Sequence, residues 1–388
     1  MVLPTYFSDF LQEIRPTKNQ NSDAKTGHRT LRTRLLEDEG LKLIIVTTFL
    51  QGSYRRAAIR PNGESRSDVD VIVVTNLSEE KFSPQAAMDL FVPVLDKYYE
   101  GKWEFRGRSI RISLSYVDLD LVITSAPSQV DVKILKSFSV MTDDTLEELD
   151  DWRLVPSWVD PEHRYLPGMK AVMKAAETER EEDWRLSPLR IPDRETQEWQ
   201  DTHPLEQIRW TWRKNKDCNR HYVNVVKALK WERKINHATP KYPKGYPLEH
   251  IIGQCCPNGV SSIAEGVVLA LEEIVARFAE DVRNNRVPVL PDHGVPSHNV
   301  LHRITPEDFA EFHGQVRDAA SIARRALDAE TVRESAEEWR KLFGNKFPPP
   351  PEDENKDHGS DSAKRGGYSP RAAVTGIGPG RYAGGRYA

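Results

Sequence analysis

The sequence predicts an α+β protein whose second half turns wholly helical, and three observations carry that prediction. Two apolar, β-branched runs, LKLIIVTTFLQGSY and RSDVDVIVVTN, read as strands that break at Gly52 and Asn76. From about residue 204 to 343, apolar residues recur instead at helical spacing, as in HYVNVVKALKWERKI and SSIAEGVVLALEEIVARFAEDVRN. After Phe347 the chain changes to PPPPEDENKDHGSDSAKRGGYSP and similar sequence, rich in Pro, Gly and charge, with almost nothing to bury. The expected organisation is a mixed α+β domain over residues 1–203, a helical region over 204–343, and a disordered tail over 344–388.

Taken in order, residues 1–40 read as mostly helical and end in the charged stretch HRTLRTRLLEDEG. The two apolar runs follow as strands. SPQAAMDLFVPVLDKYYEG has helical spacing, with Ser83 as its cap and Pro84 in its first turn. RGRSIRISLSYVDLDLVITSAPS reads as two strands or one long bent strand. Residues 131–205 hold acidic turns and one helix-like run, PGMKAVMKAAETEREEDWR, without a pattern that fixes their packing. Among the later helices, TPEDFAEFHGQVRDAASIARRALDA opens on TPED, which puts Pro in the first turn and acids at the positive end of the helix dipole. The tail closes on a short repeat, Gly-Arg-Tyr-Ala at 380–383 and again at 385–388.

Composition narrows the function. A net charge of −4 over 388 residues argues against a generally basic nucleic-acid binder. No run approaches the roughly 18 apolar residues of a membrane span, and the first residues lack the pattern of a secretion signal, so a cytoplasmic protein without membrane contact is expected. The three cysteines, Cys218, Cys255 and Cys256, make no disulfide framework. With His250 they also fall short of the paired spacing of a structural zinc site, and they read as buried thiols.

The chemistry lies in the strands. Asp68 and Asp70 alternate with Val69, Val71 and Val73, so both carboxylates point to one face of a strand. Exposed edge strands also carry charges, but VDVIVV is too apolar for an edge. In SLSYVDLDLVI, Asp118 and Asp120 again share one face. Three carboxylates from neighbouring strands can hold two divalent cations about 3.5–4 Å apart, the arrangement that drives phosphoryl transfer, and Mg2+ suits hard oxygen ligands. Gly52-Ser53 is a turn at a strand end that lets backbone approach a phosphate. Arg55 and Arg56 follow as phosphate partners, and Lys227 and Lys230 share a helix face from which they can neutralise a triphosphate.

The ordered set Gly52-Ser53, Asp68-Val-Asp70, then Asp118 or Asp120 resembles the nucleotidyltransferase superfamily related to DNA polymerase beta. QGSYRRAAIRP, SDVDVIVV and VVKALKWER are more narrowly similar to the bacterial CD-NTases, relatives of cyclic GMP-AMP synthase and oligoadenylate synthase. The resemblance implies a bilobal fold, with a nucleotidyltransferase palm and a helical lobe around the active site. It implies synthesis of a cyclic di- or trinucleotide second messenger from ATP and other NTPs, with two Mg2+ ions, in anti-phage signalling through a cyclic-nucleotide-activated effector. By position, Asp68, Asp70 and Asp120 would be the catalytic metal ligands, with Asp118 one pleat away. Gln51, Gly52, Ser53, Arg55, Lys227 and Lys230 would bind nucleotide. Some members end in a flexible tail whose last residue an E1–E2-like enzyme joins to other molecules, a role Ala388 would fill. Two other readings are compatible with the motifs: an adenylyltransferase that modifies a protein or RNA, and a non-catalytic protein acting through its tail.

Overall fold

A computed structural model describes residues 1–59, 66–126 and 188–351. The helix-like run at 167–185 and the tail from 352 onward lie outside the described residues. The sheet half begins with α1 (Pro4–Ile14), α2 (Lys18–Glu37) and the single turn α3 (Leu41–Ile44). Thr17 caps α2 through a reciprocal capping box with Gln20. Then come β1 (Ile45–Gln51), α4 (Gly52–Arg56), β2 (Ser67–Thr75), α5 (Pro84–Asp89) and α6 (Val92–Tyr99). Ser83 caps α5 with Pro84 in the first turn, as its sequence predicts. Strands β3 (Trp103–Phe105), β4 (Ile110–Ser113), β5 (Val117–Ser125), β6 (Leu189–Asp193) and β7 (Glu198–Thr202) complete the sheet. RGRSIRISLSYVDLDLVITS is therefore a two-strand hairpin, β4 with β5.

The strands run β1-β2-β5-β4-β3, with β6 joined to β5 and β7 to β6. β2 is thus interior, antiparallel to β1 and parallel to β5. One face of the sheet buries Val69, Val71 and Val73 of β2 with Val117, Leu119 and Leu121 of β5, beneath α2 and α6. Each fully buried Val or Leu contributes about 1.5–3 kcal/mol. On the opposite face the two strands change character along their length. Their C-terminal halves put Ile72, Val74 and Val122 into a small apolar cluster with Phe49 and Leu189, and their N-terminal halves carry the aspartates.

The helical half contains α7 (Pro204–Asp217), α8 (Tyr222–Asn236), α9 (Tyr246–Cys255), α10 (Ile263–Arg283), α11 (Pro306–Asp328) and α12 (Val332–Phe343). α8 runs through its core and buries Val223, Val225, Val226 and Leu229. Cys218, Cys255 and Cys256 are free thiols buried in the same core. Thr305 caps α11, with Pro306 at its first position. Among the described residues no helix is long and apolar enough to cross a membrane.

Two segments pack otherwise than the sequence boundaries would have it. α1 joins the helical core through Phe7, Phe10, Leu11 and Ile14, although it precedes the sheet in the chain. Residues Gly344–Lys346 form a 3-10 turn, and Phe347 beyond it is fully buried against the same core, so ordered packing extends past residue 343. An aromatic ring among aromatic neighbours outweighs the polar composition that follows it.

Candidate active site

Parallel pairing of β2 with β5 sets Asp68 opposite Asp118 and Asp70 opposite Asp120. Four carboxylates therefore share one patch of one sheet face. Burial raises the pKa of Asp70, the charges of Asp68 and Asp120 add to it, and the result is about 7 despite Arg56 and Arg111 nearby. Asp68 and Asp120 are raised as well, first by burial. Asp120 adds to the rise at Asp68, and Arg111 opposes it at both.

The sequence reading missed Arg111. On β4 it pairs with Asp120 across the hairpin, so its side chain rises among the acids. Its Nη1 donates to Asp68 Oδ1 at 2.7 Å and to Asp120 Oδ2 at 2.6 Å, and its Nη2 lies 3.2 Å from Asp118 Oδ2. Arg66 donates to the other oxygen of Asp118, at 3.0 Å. Among the described residues, no three His, Cys, Asp or Glu side chains are gathered about a common cation position; at the acid patch a guanidinium bridges the carboxylates. The signal was available, because a hairpin reading of SIRISLSYVDLDL places Arg111 directly across from Asp120.

Gly52 explains the glycine of the Gly-Ser turn. Its φ is +75°, and a Cβ there would lie 1.6 Å from Asp70 Oδ2. Only glycine lets the turn and the carboxylate share this space. Gln51 pairs with Asp70 across β1 and β2, and its amide donates to Gln207 Oε1 at 2.8 Å. Gln207 in turn donates to Asp292 Oδ2 at 3.0 Å. This relay links the sheet to the helical half. Ser53 is partly exposed at the start of α4.

The cations placed near the turn by sequence divide differently. The Arg56 side chain is buried and donates to Glu249 Oε2 at 2.9 Å, so it serves the core and not a phosphate. Lys230 Nζ donates to Ala57 O at 3.0 Å, just past α4, and to Glu249 Oε1 at 3.1 Å. Lys227 lies one turn earlier on α8, half-buried. The side chain of Arg55 is outside the described residues.

A cleft of about 1150 Å3 opens beside the acids, above the roughly 300–1,000 Å3 usual for a small-molecule site. Asp68, Arg111 and Asp120 line its sheet side, and Tyr246, Asp292 and His298 its helical side. The carboxylate patch suits a hard divalent cation: all its donors are oxygens, and they already draw the positive charge of Arg111 between them.

Comparison with known proteins fits this geometry. A family model described as the Second Messenger Oligonucleotide or Dinucleotide Synthetase domain matches residues 1–126. A cyclic AMP-AMP-GMP synthase of Enterobacter hormaechei subsp. hoffmannii is 51% identical over 357 residues, covering 90% of this chain and 93% of the relative. A probable cyclic AMP-AMP-GMP nucleotide synthase of Salmonella paratyphi B is 50% identical over the same shares. The solved structure of CdnC from E. coli MS115-1 with ATP superposes at a TM-score of 0.58 and 16% identity, covering 90% of this chain and 100% of that one, a likeness of fold. The chain belongs to the bacterial CD-NTase family and is a nucleotidyltransferase that makes cyclic oligonucleotides.

Proposed function

We propose that this enzyme joins ATP and GTP into a cyclic trinucleotide of two adenylates and one guanylate, by two-metal nucleotidyl transfer at Asp68, Asp70 and Asp120. The observation that carries the site is the register of β2 with β5, which sets these acids side by side beside the cleft. The names of the two relatives at about half identity support the product. Asp120 is preferred to Asp118 as third ligand because Asp118 is held by Arg66 in addition to the Arg111 that both acids share.

Bound at these carboxylates, two Mg2+ ions would neutralise phosphate charge and lower the pKa of the attacking hydroxyl. The protein's own part is to hold the carboxylates on two paired strands and to admit the reacting nucleotides. Asp120 takes up the proton of the 3′-hydroxyl as its oxygen bonds to the α-phosphate of the next nucleotide and the bond to the β-phosphate breaks, releasing pyrophosphate. Gln51, Gly52 and Ser53 receive the triphosphate at the turn, with Arg55 and Lys227 supplying positive charge around it and Lys230 adding its own if it turns from Glu249. Action of the product on a cyclic-nucleotide-activated effector, and joining of Ala388 to other molecules by an E1–E2-like enzyme, belong to the same reading. They rest on the family resemblance and the Gly-rich terminal sequence.

Incubation with the four α-labelled NTPs and Mg2+, then phosphatase, chromatography and mass spectrometry, tests the proposal. The expected product resists phosphatase and has the mass of a cyclic A-A-G trinucleotide. Substituting Asp68→Ala or Asp70→Ala should lower its yield by roughly a hundredfold or more. A product of another composition overturns the base assignment. Full activity in either variant overturns the site.

A further inference from the structure

We propose that Arg111 is an exchangeable counter-ion of the carboxylate cluster: its guanidinium occupies the oxygens of Asp68 and Asp120 until a divalent cation takes them. The inference rests on the reading of these acids as the metal site. Its basis is geometric. One nitrogen, Nη1, bridges Asp68 Oδ1 and Asp120 Oδ2 at 2.7 and 2.6 Å, and Nη2 reaches Asp118 Oδ2 at 3.2 Å. A single positive group therefore ties together carboxylates from two strands, as a bridging cation would.

Several features make the arrangement one of exchange. Arginine keeps its charge at any pH the fold survives, so the guanidinium cannot be cleared by losing a proton and has to move. It has room to move, because its side chain lines the open cleft with Arg106 and Arg108 on the same wall. Arg108 is not a substitute counter-ion, since its Nε donates to Asp193 Oδ2 at 2.7 Å. Asp118 keeps Arg66 when Arg111 leaves. The oxygens released are thus those of Asp68 and Asp120, two of the three acids assigned to metal.

Without a cation of some kind the patch would be four carboxylates in mutual repulsion. Arg111 supplies one from the protein itself, and a metal has to displace it. The consequence is weak metal binding by the nucleotide-free enzyme.

The experiment is Mn2+ binding to the full-length, nucleotide-free protein, followed by electron paramagnetic resonance, in wild type, Arg111→Gln and Arg111→Lys. Glutamine removes the competing charge, so Arg111→Gln should bind Mn2+ roughly tenfold to a hundredfold more tightly than wild type. Lysine keeps the charge but cannot bridge with a planar fork, and should fall between them. Circular dichroism and thermal melts with Mn2+ present establish that each variant is folded. Unchanged or weaker Mn2+ binding in folded Arg111→Gln overturns the inference. An Asp68→Asn/Asp70→Asn double variant separates the two readings. If it loses Mn2+ while Arg111→Gln binds like wild type, only the counter-ion role fails. If it binds Mn2+ like wild type, the metal-site reading fails, and the counter-ion role with it.

Discussion

Asp70 is the acid of the patch that lies against the glycine turn. The turn at Gly52 is packed against its carboxylate, and burial, Asp68 and Asp120 together raise its pKa to about 7. In the unfolded chain the same group titrates near 3.9. Between these values the folded protein keeps a proton that the unfolded chain has lost, so the stability of the metal-free protein falls as pH rises from about 4 to about 7, then levels off for this group. Asp70→Asn removes that dependence. In EDTA, the variant should be more stable than wild type at pH 8, and the margin should shrink steadily toward pH 5. Urea midpoints at both pH values measure it, and an equal margin at both would remove Asp70 as the source. Much of this residue scale was legible: D-x-D in an apolar strand fixed which acids share a face, and Gly-Ser marked the turn. The shared space of Gly52 and Asp70 was not, because it depends on β1 lying antiparallel beside β2.

At the scale of elements, α4 is anchored from beneath. Arg56 at its end, Lys230 on α8 and Glu249 on α9 form a buried group in which one carboxylate faces two cations. Burial alone would raise the pKa of Glu249, but Arg56 and Lys230 outweigh it and hold the carboxyl at about 2. Replacing Glu249 with Gln leaves two buried cations without their anion, a loss of about 3–5 kcal/mol in unfolding free energy. A double variant, Arg56→Met with Glu249→Met, removes one of the two stranded cations and should recover part of that loss in the same urea titration, since apolar groups tolerate burial. If the double variant is as unstable as the single one, the ion group is not the cause. This element explains a limit of the sequence reading. Arg55 and Arg56 are adjacent, and on a helix neighbours point about 100° apart, so only the packing of α4 against α9 shows that Arg56 enters the core. Register is limited in the same way. Alternation gave the faces of β2 and β5, yet the pairing of Asp70 with Asp120 required their parallel alignment. The β6–β7 hairpin lay in a stretch whose Arg, Pro and Trp content gave no clear period.

At the scale of the molecule, the first helix and the turn Gly344–Lys346 meet in the helical core. Phe7, Phe10, Trp339, Phe343 and Phe347 form one aromatic cluster, with Phe10 stacked on Phe343 at 4.5 Å and Phe7 edge-on to Phe347 at 5.3 Å. The amino terminus of Met1 donates to Ala326 O at 2.7 Å, at the end of α11. Helical spacing in FSDFLQEI was enough to say that α1 buries a face. It could not say against what, because periodicity carries no information about a partner more than 300 residues away. Phe347 is fully buried in this cluster, against α1 and α12. Phe347→Ala should therefore cost about 3–5 kcal/mol in urea unfolding. A chain ended after Phe343 should lose at least as much, because it also removes the turn that brings Phe347 onto Phe7. A chain ended after Pro350 should keep the wild-type midpoint, as it retains the whole cluster. Equal midpoints for chains ended after Phe343 and after Pro350 would mean that α1 is held by α8 and α12 alone, and that Phe347 packs without contributing to stability.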